Sequence, residues 1–389
     1  MADITPFYVM DIFTRAKELA AQGQRIIHME IGEPDFLAPE PVIQSAIQAL
    51  TTGHTRYTAT LGLPALREKI ADFYLRRYGV NIPWQRIVVT PGTSGALQLA
   101  LAVLVNPGDE VLVSDPGYPS NRNMIRVFGG SVIDIPVGPD TLYQPTADLI
   151  ARYATPSTAA AIVTTPSNPT GSLMPARDMV GIIRQADRLN IRLVVDELYL
   201  GLVYGATATD AIHIDEADMG TAAALSEEVF IVNGFSKYFG MTGWRLGWMV
   251  VPESFLRDTE KLAQNLYLSA SAIAQHGALV AFEPRTLAIL DERREEFQHR
   301  RDFLLPALRD MGFHIPVEPH GAFYLYADCS AFTKDSLQFA NELLEHTGVA
   351  VTPGIDFGKN APRQYVRFAY TTGMGNLQEG VGRLRRYLS

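Results

Sequence analysis

With 389 residues, 47 % of them hydrophobic and 19 % charged, the chain is long enough for two or three domains and apolar enough to bury sizeable cores. Its formal net charge of −9 excludes a general nucleic-acid binder, which needs a cationic face, but leaves room for a small anionic ligand in a local positive pocket. A single cysteine, Cys329, excludes an intrachain disulfide and a cysteine-rich metal site, and no metal is expected.

The first stretch, MADITPFYVMDIFTRAKELA, carries acidic residues near its start and lacks the basic-then-apolar order of a secretory leader. No run of about 18 apolar residues occurs anywhere, so no membrane span is expected and a cytoplasmic location fits. Pro64 to Tyr78 reads as an amphipathic helix, with proline in its first turn and Leu66, Ile70, Phe73 and Tyr74 on one side. From residue 86 to 251, short apolar runs alternate with helical patterns. Strands are predicted at 86–90, 110–114, 131–135, 159–164, 191–196, 229–233 and 246–251. Most are continuous and β-branched, the signature of strands covered on both faces. Helical stretches between them, such as SGALQLALAVLV and PARDMVGIIRQADRLN, predict an α/β unit with a mainly parallel seven-stranded sheet, assigned to residues 46–284. After residue 285 a long charged helix at 289–311 leads to strands at 321–327 and 365–370, with helices at 334–346 and 376–388. These predict a smaller α+β domain, which with an N-terminal arm ending in MEIGEPDF is assigned to 1–45 and 285–389. Cys329 is expected to pack near a strand end.

Five segments carry candidate chemistry. TPGTSGALQ (90–98) ends a strand and opens a helix through a glycine-rich turn. Free N–H groups there, with the hydroxyls of Thr93 and Ser94, suit a phosphate, and an unliganded strand–helix turn accounts for the segment equally well. SNPTG (167–171) presents the Asn168 amide on a fixed turn; an ordinary Asn-Pro turn is the plain alternative. VVDELY (194–199) closes an apolar strand with Asp196, at the end where open α/β sheets bind ligands, although a carboxylate there also serves as a helix cap. If a helix begins there, Tyr199 follows about one turn later. NGFSKYFGMTGWRLGW (233–248) sets Lys237 just after a strand, with Arg245 further along. Treating both as solvated surface charges would expose the surrounding Phe, Met and Trp side chains. YVRFAY (365–370) carries Arg367 opposite in alternation to Val366 and Phe368, which leaves open whether it faces a ligand or solvent.

In this order the segments resemble the class I/II pyridoxal-phosphate aminotransferases of the aspartate-aminotransferase fold type I, from IGEPDF (31–36) to YVRFAY (365–370). The most specific part is the SK–xxxx–TGWRLG stretch. The resemblance implies pyridoxal 5'-phosphate as cofactor, with an amino acid and a 2-oxo acid as small-molecule partners. Lys237 would hold the cofactor as an imine and, once displaced, carry the proton between the substrate Cα and the cofactor. Asp196 would pair with the pyridine nitrogen, and Asn168 and Tyr199 would hydrogen-bond the 3′-oxygen. Tyr118 of DPGYP would stack on the ring, although a core tyrosine explains it nearly as well. The phosphate would rest on Gly92, Thr93 and Ser94, with Arg245 as counter-charge and Ser236 nearby. Tyr57 would reach the phosphate of a second subunit, making a homodimer part of the expected site. Arg367, with the Gly32 backbone and Asn168, would grip the substrate α-carboxylate.

Two positions depart from the pattern. Gly234 stands where many relatives carry a serine against the phosphate, which predicts a thinner cup. Tyr267 stands about where dicarboxylate-specific relatives lend an arginine across the dimer, and no arginine or lysine occurs from Leu262 through Phe282. Arg122 and Arg126, just after DPGYP, are the nearest substitutes in sequence. Neutral or aromatic donors therefore fit at least as well as aspartate-like ones. The leading expectation is a ping-pong aminotransferase. A carbon–sulfur β-lyase or aminocyclopropane-carboxylate-synthase-like enzyme shares the residue set. A non-catalytic cofactor-binding regulator ranks last, because regulators resembling this family carry a DNA-binding helical domain ahead of the arm.

Overall fold

The computed structural model describes residues 4–205 and 220–389. The chain opens with helix α1 (Tyr8–Ala21), strand β1 (Ile27–His28), helix α2 (Glu40–Thr51) and helix α3 (Pro64–Tyr78), the last starting on its proline as expected. Then come β2 (Ile87–Thr90), α4 (Gly92–Leu104), β3 (Glu110–Asp115), α5 (Pro119–Val127), β4 (Ser131–Pro136), α6 (Ala147–Tyr153) and β5 (Thr158–Thr164). The run continues through α7 (Ala176–Leu189), β6 (Arg192–Asp196), β7 (Phe230–Gly234) and β8 (Gly247–Val250). All seven strands from β2 to β8 lie where the β-branched runs place them.

These seven form one sheet in the order β2-β8-β7-β6-β5-β3-β4, with β8 alone antiparallel to its neighbours. Alternation covers both faces. Ile162, Val194 and Val232 pack with Leu97 and Leu101 of α4, while Val163, Val195 and Ile231 join the larger core on the other side. Strands with two buried faces must be apolar throughout, which is why hydropathy locates them. Since β2, β5, β6 and β7 run the same way, their carboxyl ends meet the amino end of β8 along one edge.

Beyond the sheet lie α8 (Leu256–Leu266), α9 (Ala272–Ala278) and the long α10 (Pro284–Asp310), which begins at a proline ahead of the predicted start at 289. The remaining elements are β9 (Tyr324–Asp328), α11 (Ser336–Thr347), β10 (Val349–Ala350), β11 (Thr352–Pro353), β12 (Tyr365–Ala369) and α12 (Met374–Leu388). Strand β9 starts later than the predicted 321, because Ala322 takes a left-handed φ of 57° that interrupts the extended chain. The order β11-β12-β9 makes an antiparallel sheet, and β1 pairs in parallel with β10, so the arm is woven into the C-terminal part. Residue 46 falls inside α2, which packs against α9, and residue 284 opens α10. Cys329 is buried just after β9, its thiol 3.2 Å from the Gln364 carbonyl oxygen. Among the described residues no helix is long and apolar enough to cross a membrane.

The first turn of α1 has no local cap; instead both oxygens of Asp356 accept from it, Tyr8 N at 2.7 Å and Val9 N at 2.9 Å. Satisfying orphan N–H groups with a carboxylate stabilises a helix start by about 1 kcal/mol. Asp356→Ala should therefore raise amide hydrogen exchange across Tyr8–Phe13 roughly fivefold while β5 and β6 stay protected. Unchanged protection of α1 would show that packing alone holds the arm.

Candidate active site

At the shared strand edge a cavity is bounded by Thr93 and Ser94 of α4, Asn168 after β5, Asp196 at the end of β6, Lys237 and Arg245 between β7 and β8, and Arg367 of β12. The arm closes it with Phe7, Val9, Met10 and Ile31. Ligand sites form here because loops leaving parallel strands at their carboxyl ends converge over one edge.

Lys237 follows β7, and its Nζ donates to the Gly32 carbonyl at 2.6 Å. Burial lowers its pKa to about 8; Glu33 opposes the shift, and the charges of Arg367 and Arg245 add to it. Burial acts with the opposite sign on Asp196, whose pKa rises to about 6 against the single restraining hydrogen bond from Leu198 N at 3.1 Å. Neighbouring Glu197 is bound elsewhere, accepting from Ala222 N at 2.7 Å and Thr221 Oγ1 at 2.8 Å. Tyr199 does not sit one turn along a helix. The chain turns after Asp196 into a short 3₁₀ segment, Leu200–Leu202, and the Tyr199 hydroxyl lies 2.8 Å from that of Tyr324.

Arg367 faces inward. Its Nη1 donates to Asn168 Oδ1 at 2.8 Å, and its Nη2 to the Glu30 carbonyl at 2.7 Å and Thr352 Oγ1 at 3.1 Å. The guanidinium lies 4.2 Å from the Tyr324 ring centre and 4.9 Å from that of Phe357. Its Nε is buried without a partner.

At the other end, Gly92 starts α4 with φ 73°, and a Cβ there would lie 2.7 Å from Arg245 Nη2. Only glycine lets the guanidinium close on this helix start. The Thr93 hydroxyl is buried and unpartnered. A Cβ at Gly234 would lie 2.6 Å from it, so Thr93 fills the space a serine side chain would need, and the cup is refilled from the facing side. Ser236, Tyr118 and Gly32 also line the cavity.

Several residues stand apart. Tyr57 is 83 % exposed and outside this chain's cavity. The Tyr267 hydroxyl is buried without a partner at the end of α8, also outside it. Arg122 and Arg126 do not substitute for the missing arginine. Arg122 is consumed by Asp134 at 2.6 Å, the Ser114 carbonyl at 2.9 Å and the Phe357 carbonyl at 3.0 Å, and Arg126 reaches Asn123 instead of the cavity. Conversely, sequence reasoning overlooks Tyr324, Asp356 and Glu30. Glu30 is fully buried on the cavity wall, with Oε1 2.7 Å from His28 Nδ1 and Oε2 unpartnered. Its hydrogen bond raises the His28 pKa. Tyrosines in GAFYLYA read as strand formers, and one glutamate just after a short arm strand carries no pattern.

The residues present fit pyridoxal phosphate. The free N–H groups of the α4 start, Arg245 and the orphaned Thr93 hydroxyl answer a phosphate. Asp196, costly to ionise with one hydrogen bond, answers a protonated ring nitrogen. The amine of Lys237 answers an aldehyde.

Residues 24–384 match the family model described as aminotransferase class I and II. A valine–pyruvate aminotransferase of Mycobacterium tuberculosis is 38 % identical over 388 residues, covering 100 % of this chain and 97 % of its own. An aspartate/prephenate aminotransferase of Thermus thermophilus is 34 % identical, covering 98 % of this chain and 96 % of its own. The crystal structure of an aminotransferase from Mycobacterium tuberculosis superposes with a TM-score of 0.94 at 37 % identity, over 100 % of this chain and 97 % of the other. Sheet order, site geometry and these likenesses agree: the chain belongs to the class I and II aminotransferases, pyridoxal-phosphate enzymes of fold type I that transfer amino groups.

Proposed function

We propose that this aminotransferase works by ping-pong chemistry on neutral, apolar amino-acid donors, with Lys237 as the cofactor-bonding and proton-moving residue. The observation that carries the reading is the placement of Lys237, Asp196 and the Arg367–Asn168 pair around one cavity. Bound pyridoxal phosphate supplies an electron-accepting ring conjugated to the substrate Cα. Arg367 and Asn168 hold the α-carboxylate and fix which Cα bond faces Lys237. Lys237, its amine partly unprotonated at neutral pH through burial, takes the proton from Cα and would return it to the cofactor carbon on the far side of the linking nitrogen. Asp196 holds positive charge on the ring nitrogen, Tyr199 and Asn168 hydrogen-bond the ring oxygen, and Tyr118 backs the ring. Gly92, Thr93, Ser94, Ser236 and Arg245 hold the phosphate, and Gly32 holds the Lys237 ammonium when it forms.

Charge supports a neutral donor. The cations lining the cavity are Lys237, Arg245 and Arg367, each with a duty in this scheme, whereas the arm side adds the buried carboxylates Glu30 and Asp356 to apolar Phe7, Met10 and Ile31. A second substrate carboxylate would meet like charge there. The Mycobacterium relative is named for valine and pyruvate, in keeping with this reading. We also propose a cytoplasmic homodimer: Tyr57 is exposed, as a residue lent to a neighbouring copy must be, and Ile47 and Leu50 of α2 are half-exposed apolar side chains.

Adding single amino acids to the holoenzyme without an acceptor should remove the visible absorption band at lower concentrations of valine or alanine than of aspartate, and pyruvate should restore it. Release of pyruvate and ammonia without any acceptor would instead mark a lyase. Lys237→Ala should lower turnover by about 10³-fold or more. Arg367→Ala should lower kcat/KM by about 100-fold for every donor while cofactor affinity stays near wild type, and an unchanged KM across donors would remove Arg367 from the substrate site. In the apo-protein, reductive methylation of Lys237 should reach half its maximal rate near pH 8 rather than near the ordinary 10.5.

A further inference from the structure

We propose that Tyr324 is a positioning residue that couples the two ends of the site: its hydroxyl donates to Tyr199 while its ring face supports Arg367. The inference rests on the roles given above to Tyr199 and Arg367, and it adds a link between them that neither role requires.

Tyr324 opens β9, where Arg367 of β12 lies opposite Tyr326, so Tyr324 and Arg367 are diagonal neighbours on one face of the antiparallel pair. That register sets the guanidinium 4.2 Å over the Tyr324 ring. The opposite end of the same side chain reaches across to the seven-stranded sheet, with its hydroxyl 2.8 Å from the Tyr199 hydroxyl. The two rings meet edge to face, 74° apart. Space for this reach is made in the arm: a Cβ at Gly32 would lie 1.8 Å from the Tyr324 hydroxyl oxygen, so no other residue fits at 32. The same Gly32 carbonyl receives the Lys237 ammonium at 2.6 Å. Tyr324 thus touches Arg367, Tyr199 and the residue that holds Lys237.

Proton counting fixes the direction of the hydroxyl pair. Each phenol has one hydrogen. If Tyr199 spends its hydrogen on the cofactor's ring oxygen, only Tyr324 can donate between the two. A hydroxyl that receives a hydrogen bond becomes a stronger donor in turn, so Tyr324 sharpens the contact that Tyr199 makes. The cation over the Tyr324 ring draws electron density from the phenol and strengthens its donation. A carboxylate arriving on Arg367 offsets that pull. Occupancy of the carboxylate site is thereby felt at the ring oxygen, along a path separate from the direct Arg367–Asn168 hydrogen bond.

Tyr324→Phe removes one oxygen and keeps the ring, its packing and its cation contact. In the holoenzyme, the pH midpoint of the visible absorption change should rise by about 0.5–1 unit, because the ring oxygen loses help in staying anionic, while cofactor affinity stays within about twofold of wild type. In a Tyr199→Phe background the same replacement should add no further shift. Incorporating 3-fluorotyrosine at 324, which makes the phenol more acidic, should move the midpoint down and tests the idea even if Tyr324→Phe folds poorly. An unmoved midpoint in both Tyr324 variants, or a full additional shift without Tyr199, would overturn the coupling. A wild-type holoenzyme with no visible absorption band at all would overturn the Lys237 reading and the coupling together.

Discussion

A guanidinium shut away from water must be matched on every side, and Arg367 shows how much structure that demand organises. Its partners are the Glu30 carbonyl from the arm, Thr352 from β11, and Asn168 from the loop after β5, with Tyr324 and Phe357 against its faces. Leaving a buried charge short of partners costs several kcal/mol, so these separate pieces of chain are drawn to one point. The junction between the large and the small sheets is therefore the site itself. Its Nε stays buried without a partner.

Burial tunes the two ends of the proton chemistry in opposite senses. It lowers the Lys237 ammonium to about 8 and raises the Asp196 carboxyl to about 6. Both shifts have one cause, the penalty on charge away from water, and both bring the groups toward neutral pH. In the proposed scheme a cationic ring nitrogen facing Asp196 would reverse the penalty there, whereas Lys237 would gain from it, since only the free amine can take a proton.

Packing at the phosphate end shows one residue compensating for another. Gly234 removes a hydroxyl from the strand end, yet the Thr93 hydroxyl occupies the vacated volume. The two positions are far apart in the chain but share a space too small for two side chains, so a departure from a motif at one position is understood only with its neighbour in view.

Local chemistry made the central sheet and the motif residues legible. Continuous β-branched runs demand cover on both faces, a proline sets a helix start, and a lysine among buried aromatic residues is drawn inward, although Arg245 beside it stays exposed. The ordered motifs likewise bring Asn168, Asp196, Lys237, Arg245 and Arg367 to one cavity. Tertiary structure decided what no periodicity encodes: that Arg122 is spent on Asp134 and backbone carbonyls, that Tyr324 bridges to Tyr199, and that Glu30 lies buried on the cavity wall. These depend on which distant side chains arrive opposite one another. Sequence determines such meetings only through the completed fold, because register and close packing, not local preference, choose the partner.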